Sequence, residues 1–166
     1  MVIAAAVVYA DEPADENGEN NTAVQTVTEA EPEYSTGFYR IDGVLYYYVD
    51  GKVAKNVTGV VKRSDTEWFY VKRGVFTKAE GAAKRLSDGA VVYVRNGRTV
   101  SATGLAKSLF DKKKYYVSKG LFKKTTGVVK SLFDKKKYYV KDGVFTKSTG
   151  LAKSLFDKNK YYVKKG

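Results

Sequence analysis

Short hydrophobic segments alternate with polar turns throughout residues 37–166, and one stretch shows the pattern clearly. In GVVKSLFDKKKYYVKDGVFTKST, residues 127–149, the segments 128–132 and 137–141 are rich in β-branched and aromatic residues, which favours strands. Asp142 and Gly143 form a tight-turn signal, after which 144–147 predicts a short third strand. Apolar residues never recur at helical spacing for long. The pattern therefore predicts a β-hairpin followed by a short returning strand.

The same unit recurs at a fixed period. Each unit contains a Tyr-Val step, and the valines are 22 or 23 residues apart: Val49, Val71, Val94, Val117, Val140 and Val163. A hairpin of this size is too small to be stable alone, but stacking buries its apolar face against its neighbours. We therefore predict an all-β solenoid of β-hairpin repeats of 22–23 residues, with six units over 37–166 and the last one truncated at its turn glycine.

Two columns of side chains recur along this predicted solenoid and are candidate ligand-binding residues. The aromatic column has a tyrosine in every unit, with one tryptophan beside it: Tyr48, Trp68, Tyr70, Tyr93, Tyr116, Tyr139 and Tyr162. The basic column lies three residues after each opening glycine: Arg40, Lys62, Lys84, Lys107, Lys130 and Lys153. A tyrosine in every unit indicates either packing between repeats or a role in holding a ligand. Each lysine alone is explained by exposure to solvent, but the basic column as a whole is expected to attract a polyanion.

Charge divides the chain into an acidic arm and a basic body. Residues 1–34 hold eight acids and no base, so the remainder carries 30 bases against ten acids, a net charge of +20. Residues 11–36 contain both prolines and few bulky apolar residues, which predicts a disordered acidic linker. Residues 1–10, MVIAAAVVYA, resemble the end of a signal peptide with a cleavage site after Ala10, although a buried strand is the alternative. We expect a secreted, cell-wall-associated protein without a membrane span.

The residue inventory argues against catalysis. The chain has no His and no Cys, which removes the usual proton shuttle, thiol nucleophiles and most metal and haem ligands. Aspartates recur in the predicted turns, where turn geometry alone explains them: Asp65, Asp88, Asp111, Asp134 and Asp157. We therefore expect no enzyme activity, no catalytic residue, no metal site and no cofactor.

The pattern TGLAK…KYYVSKGLFKKTTG, with its aromatic doublet, turn glycine and closing Thr-Gly, resembles the cell-wall and glucan-binding repeats of Gram-positive surface proteins, the group that includes choline-binding repeats. The resemblance covers residues 37–166 and implies a β-hairpin solenoid with aromatic sites between successive hairpins. The aromatic doublets fall on the family's aromatic pair: Tyr47-Tyr48, Phe69-Tyr70, Tyr115-Tyr116, Tyr138-Tyr139 and Tyr161-Tyr162. With one tryptophan in six units, the identity of the ligand stays open.

These observations predict a non-catalytic surface attachment module that binds an anionic or sugar-rich cell-wall polymer or an extracellular polysaccharide. Weak contacts in each unit would add through effective concentration. The alternative is a surface adhesin or structural spacer that recognises a host protein, because exposed tyrosines also suit protein interfaces. Basic residues interleaved with aromatic ones can bind single-stranded nucleic acid, but the apparent export signal argues against nucleic acid as a biological partner.

Overall fold

The structure of the protein, a computed structural model, describes residues 34–166. The predicted signal-peptide remnant, 1–10, and nearly all of the predicted linker, 11–36, lie outside these residues. Every regular element from residue 34 onward is a β-strand. No helix in this part of the chain is long and apolar enough to cross a membrane.

The strands follow the repeat. We number the hairpins 1 to 6 by their opening glycines: Gly37, Gly59, Gly81, Gly104, Gly127 and Gly150. Each hairpin has a first strand and a longer central strand, and hairpins 1 to 5 add a two-residue third strand. The first strands are β1 (Gly37–Ile41), β4 (Thr58–Lys62), β7 (Gly81–Lys84), β10 (Gly104–Lys107), β13 (Gly127–Lys130) and β16 (Gly150–Lys153). The central strands are β2 (Val44–Val49), β5 (Trp68–Lys72), β8 (Val91–Arg95), β11 (Lys114–Ser118), β14 (Lys137–Lys141) and β17 (Lys160–Val163). The third strands are β3 (Lys52–Val53), β6 (Val75–Phe76), β9 (Arg98–Thr99), β12 (Leu121–Phe122) and β15 (Val144–Phe145).

Turn chemistry fixes the register within each hairpin. In hairpin 5 the first strand pairs antiparallel with the central strand, with Lys130 opposite Lys137. Asp142 and Gly143 then take positive φ angles of 50° and 79°, which is the conformation of a type I′ turn. That turn returns the chain so that Val144 pairs with Lys141.

Backbone hydrogen bonds join each hairpin to the next. The third strands of hairpins 2 to 5 each lie between their own central strand and that of the preceding hairpin, which gives one continuous sheet of 15 strands, while β16 and β17 form a separate pair. At the junction of hairpins 4 and 5, the Tyr116 amide donates to the Gly143 carbonyl at 2.7 Å, and the Leu132 amide donates to the Leu105 carbonyl at 2.9 Å. Main-chain hydrogen bonds therefore contribute to the stacking predicted from the period.

The apolar core runs between successive hairpins. Leu105 and Tyr116 of hairpin 4 pack with Val129 and Val140 of hairpin 5 in one buried cluster. Equivalent clusters join hairpins 2 and 3 and hairpins 3 and 4. The prediction of an all-β solenoid of hairpin repeats is confirmed.

Candidate functional site

The tyrosine column lies mostly inside the stack. Tyr48, Tyr70, Tyr93 and Tyr116 are buried, with at most 8% of each residue exposed. Tyr139 is half-buried, and Tyr162 is 69% exposed. Tyr70, Tyr93 and Tyr116 belong to the core clusters that join successive hairpins. The Tyr48 ring packs against Tyr34 and Tyr39. Little of these four rings is therefore available to a ligand. Their role in ligand binding stays a prediction.

Trp68 lies at the start of β5 and is half-buried. It lines a cavity of about 360 Å³ together with Tyr47 of hairpin 1 and Leu86 of hairpin 3. The guanidinium carbon of Arg85, also from hairpin 3, lies 5.1 Å from the Trp68 ring centroid. The chain's single tryptophan therefore lies in an aromatic-lined recess near a cation, which is a geometry in which sugar rings or cations can bind.

The six residues of the basic column are all exposed and occupy equivalent positions near the ends of the first strands. Three of them lie over a phenylalanine ring of the following hairpin. The ammonium-to-centroid distances are 5.0 Å for Lys84 and Phe110, 4.6 Å for Lys107 and Phe133, and 4.9 Å for Lys130 and Phe156. Basic and aromatic side chains thus form mixed sites at the junctions of hairpins 3 to 6.

The other members of the basic column differ in their contacts. Lys62 pairs with Asp65 at 2.7 Å, and Arg40 donates to the Gly43 carbonyl at 2.7 Å. Lys153 is exposed on the first strand of hairpin 6. The structure therefore separates the lysines of hairpins 3 to 5, which contact a ring, from the basic residues of hairpins 1 and 2, which have polar partners.

A hydrogen-bonded turn holds each of these phenylalanines in place. In hairpin 5 the buried Ser131 hydroxyl accepts hydrogen bonds from the amides of Phe133 and Asp134 at 3.2 and 3.1 Å. The Tyr138 hydroxyl donates to the Asp134 carboxylate at 2.6 Å. Burial acts to raise the pKa of Asp134, but hydrogen bonds from Ser131 and Tyr138 outweigh it and lower that pKa to about 2. The carboxylate is therefore charged at neutral pH and orients the Tyr138 ring.

The same turn occurs in hairpins 4 and 6, where Tyr115 and Tyr161 donate to Asp111 and Asp157. In hairpin 4, burial together with the neighbouring Asp111 carboxylate raises the pKa of Tyr115 to about 12. Sequence analysis explained these aspartates by turn geometry and missed their bond to the first tyrosine of the doublet. The spacing Ser-Leu-Phe-Asp-x-x-x-Tyr, identical in three units, was the signal that could have revealed it.

A third ring completes an aromatic cluster in two hairpins. In hairpin 5 the Tyr138 ring centroid lies 6.0 Å from that of Phe133 and 5.6 Å from that of Phe145, and the contact with Phe145 is edge-to-face. In hairpin 4, Tyr115 has the same relation to Phe110 and Phe122, at 5.5 and 5.6 Å. These phenylalanines were not among the predicted site residues, because they lie outside the Tyr-Val step on which the units were aligned.

Stacked hairpins thus present aromatic and basic side chains at successive junctions. The choline-binding repeat family model matches residues 56–75 and 147–166, which overlap hairpins 2 and 6, and this match suggests a cell-surface binding module. The resemblance recognised in the sequence, to choline-binding-like cell-wall repeats, is thereby confirmed. No curated protein matches the chain.

Proposed function

We propose that the chain is a non-catalytic attachment module that holds a secreted protein at the cell wall by binding an anionic polymer along the basic column. The observation that carries this proposal is the repeated mixed site, in which an exposed lysine of one hairpin lies over a phenylalanine of the next. Each such site offers a positive charge and an apolar ring side by side.

The positive charge is concentrated where these sites lie. Residues 104–166 contain 18 lysines and four aspartates, a net charge of +14. All the ion pairs within residues 34–166 fall between Lys62 and Arg98. The lysines of hairpins 4 to 6 therefore keep their charge available to an external anion, and a dense field of one sign raises the local concentration of an extended polyanion.

The phenylalanine ring of each mixed site can contact the uncharged part of such a polymer. Phe110 and Phe156 are 37% and 36% exposed, so part of each ring faces solvent. A sugar or polyol unit can contact this apolar face while the neighbouring phosphate or carboxylate accepts hydrogen bonds from the lysine ammonium. Weak sites of this kind add through effective concentration when one polymer spans several hairpins.

The test is retention of the whole chain on purified Gram-positive cell walls, with and without their anionic polymers, over a salt series. Two double variants reverse the same number of charges, one within the mixed sites and one outside them. Lys107→Glu/Lys130→Glu alters two ring-contacting lysines, and Lys123→Glu/Lys147→Glu alters two exposed lysines outside the basic column.

We expect the first variant to bind about tenfold more weakly than the control, a change of about 1.4 kcal/mol, and the unmodified chain to be released when the polymers are stripped or salt is raised. Equal losses in the two variants would refute the mixed sites as the binding surface. Retention on stripped walls in high salt would show that the ligand is a neutral polysaccharide and not an anionic polymer. No binding to walls would overturn the proposal in favour of the adhesin or spacer, in which a host protein is the partner.

A further inference from the structure

One lysine differs from all the others in its surroundings. Lys114 is the first residue of β11 and lies opposite Lys107 in the strand register. Within residues 34–166 it is the only lysine that is half-buried, since every other lysine is exposed. A lysine normally keeps its ammonium in water, and a partly buried one is stabilised by a partner that attracts its charge.

That partner is the aromatic cluster of the next hairpin, Phe133, Tyr138 and Phe145. The Lys114 ammonium lies 4.6 Å from the ring centroids of both Tyr138 and Phe145 and 5.3 Å from that of Phe133. All three distances lie within the range of cation–π attraction, about 6 Å. No ion pair within residues 34–166 involves Lys114, so the rings are its main electrostatic contacts.

An ammonium among three aromatic rings has the surroundings that proteins use to bind quaternary ammonium ligands. We propose that Lys114 is a built-in ligand whose ammonium fills the aromatic cage of hairpin 5 (Phe133, Tyr138 and Phe145) and excludes external quaternary ammonium compounds from it. This inference goes beyond the proposed polymer binding, because Lys114 is not part of the basic column and the cage accepts a cation. The two sites share one ring, Phe133, which Lys107 contacts as well.

The residue at the position of Lys114 differs between the junctions. At the next junction Lys137 occupies the equivalent position, 3.9 Å from the ring centroid of Tyr161 and 5.7 Å from that of Phe156. At the preceding junction the equivalent residue is Val91, and Val91 and Tyr115 both pack against the buried cluster of hairpins 3 and 4. The equivalent position therefore holds an aliphatic side chain before hairpin 4 and a cation before hairpin 5.

Removing the Lys114 side chain should open the cage to an external quaternary ammonium ligand. Lysine carries its ammonium on a four-carbon stem, so truncation to alanine takes both the cation and most of the stem away from the rings. We expect Lys114→Ala to bind about one more molecule of choline per chain than the unmodified protein, measured by isothermal titration calorimetry. The control is Lys113→Ala, which removes an equal charge from the exposed neighbouring residue. Lys114→Ala/Phe145→Ala should lose the added binding, because it removes one wall of the new site.

A second measurement follows the lysine itself in the unmodified protein. Nuclear magnetic resonance of the lysine ε-methylene groups should show Lys114 shifted upfield by the three rings relative to Lys113. The absence of this shift would overturn the proposal, whether or not the variants fold. If the shift is present but the folded Lys114→Ala protein binds no more choline than the Lys113→Ala control, the lysine does not exclude a ligand, and the proposal is equally overturned. Loss of binding to cell walls would leave both results unaffected and would bear only on the proposed function.

Discussion

Leucine occupies the same position of the repeat in hairpins 4 and 6, but in opposite surroundings. Leu105 is fully buried, at 0% exposure, whereas Leu151 is 75% exposed. Leu105 packs with Val129 and Val140 of hairpin 5, so it measures how strongly one hairpin stabilises its neighbour. Substituting alanine at each position therefore compares one side chain with and without a stacked partner.

The expected difference follows from burial. Truncating Leu105 to Ala removes three carbon atoms from the core, worth about 2.4 kcal/mol at about 0.8 kcal/mol for each methylene. The cavity left behind brings the loss to roughly 3–4 kcal/mol. The same truncation of Leu151 removes a side chain already in solvent and should change stability by less than about 0.5 kcal/mol.

Urea unfolding of the whole chain, followed by circular dichroism, measures both effects. With a slope of about 2 kcal/mol per molar urea, Leu105→Ala should lower the unfolding midpoint by about 1.5–2 M. Leu151→Ala should leave the midpoint nearly unchanged. Equal shifts in the two variants, or a shift for Leu105→Ala as small as that expected for Leu151→Ala, would refute the conclusion that this position stacks the hairpins.

Three further predictions concern the turns. The pKa of Asp134 is lowered to about 2 from an ordinary 3.8, so the charged carboxylate stabilises the fold above pH 4 and this contribution is lost as pH falls towards 2. Asp134→Asn should therefore lower the melting temperature at pH 7. In the variant the melting temperature should also fall less steeply between pH 4 and pH 2. The pKa of Tyr115 is raised to about 12, so stability should fall as pH rises from 10 to 12, and Tyr115→Phe should weaken that fall in thermal unfolding measured across this interval. Gly143→Ala should lower the melting temperature of the protein more than Gly89→Ala. Both glycines have positive φ, but only at Gly143 would the new Cβ collide with a carbonyl oxygen, that of Lys123. Equal melting temperatures of the two variants would contradict this.

The fold could be predicted from the sequence because its determinants are local. Alternation of side chains defined the strands, and pairs such as Asp142-Gly143 marked the turns that set the register. The period then required that neighbouring hairpins stack. How the third strand inserts beside the preceding central strand was not predictable, because two-residue strands such as β6 carry almost no pattern.

The candidate site was predicted less completely, for a physical reason. Alignment of the units identifies which residues occur in columns, but contacts between columns depend on the offset between stacked hairpins. The basic column and the phenylalanines of the turn are separate in the sequence, and they meet only because Lys107 of one hairpin reaches Phe133 of the next. The burial of Tyr93 and the exposure of Tyr162, two members of one column, likewise depend on what is stacked against each residue.

The main-chain bonds at each junction have a consequence for how such a chain can change in length. The amide-to-carbonyl contact made by Tyr116 and Gly143 recurs between Tyr70 and Gly97 and between Tyr93 and Gly120, at 2.7 to 2.8 Å, although the surrounding side chains differ. These bonds require only that a unit keep the turn glycine and the spacing. Recombination that gains or loses whole units of 23 residues would therefore preserve the main-chain bonds, and a change in copy number would require only that the side chains at the new junction pack.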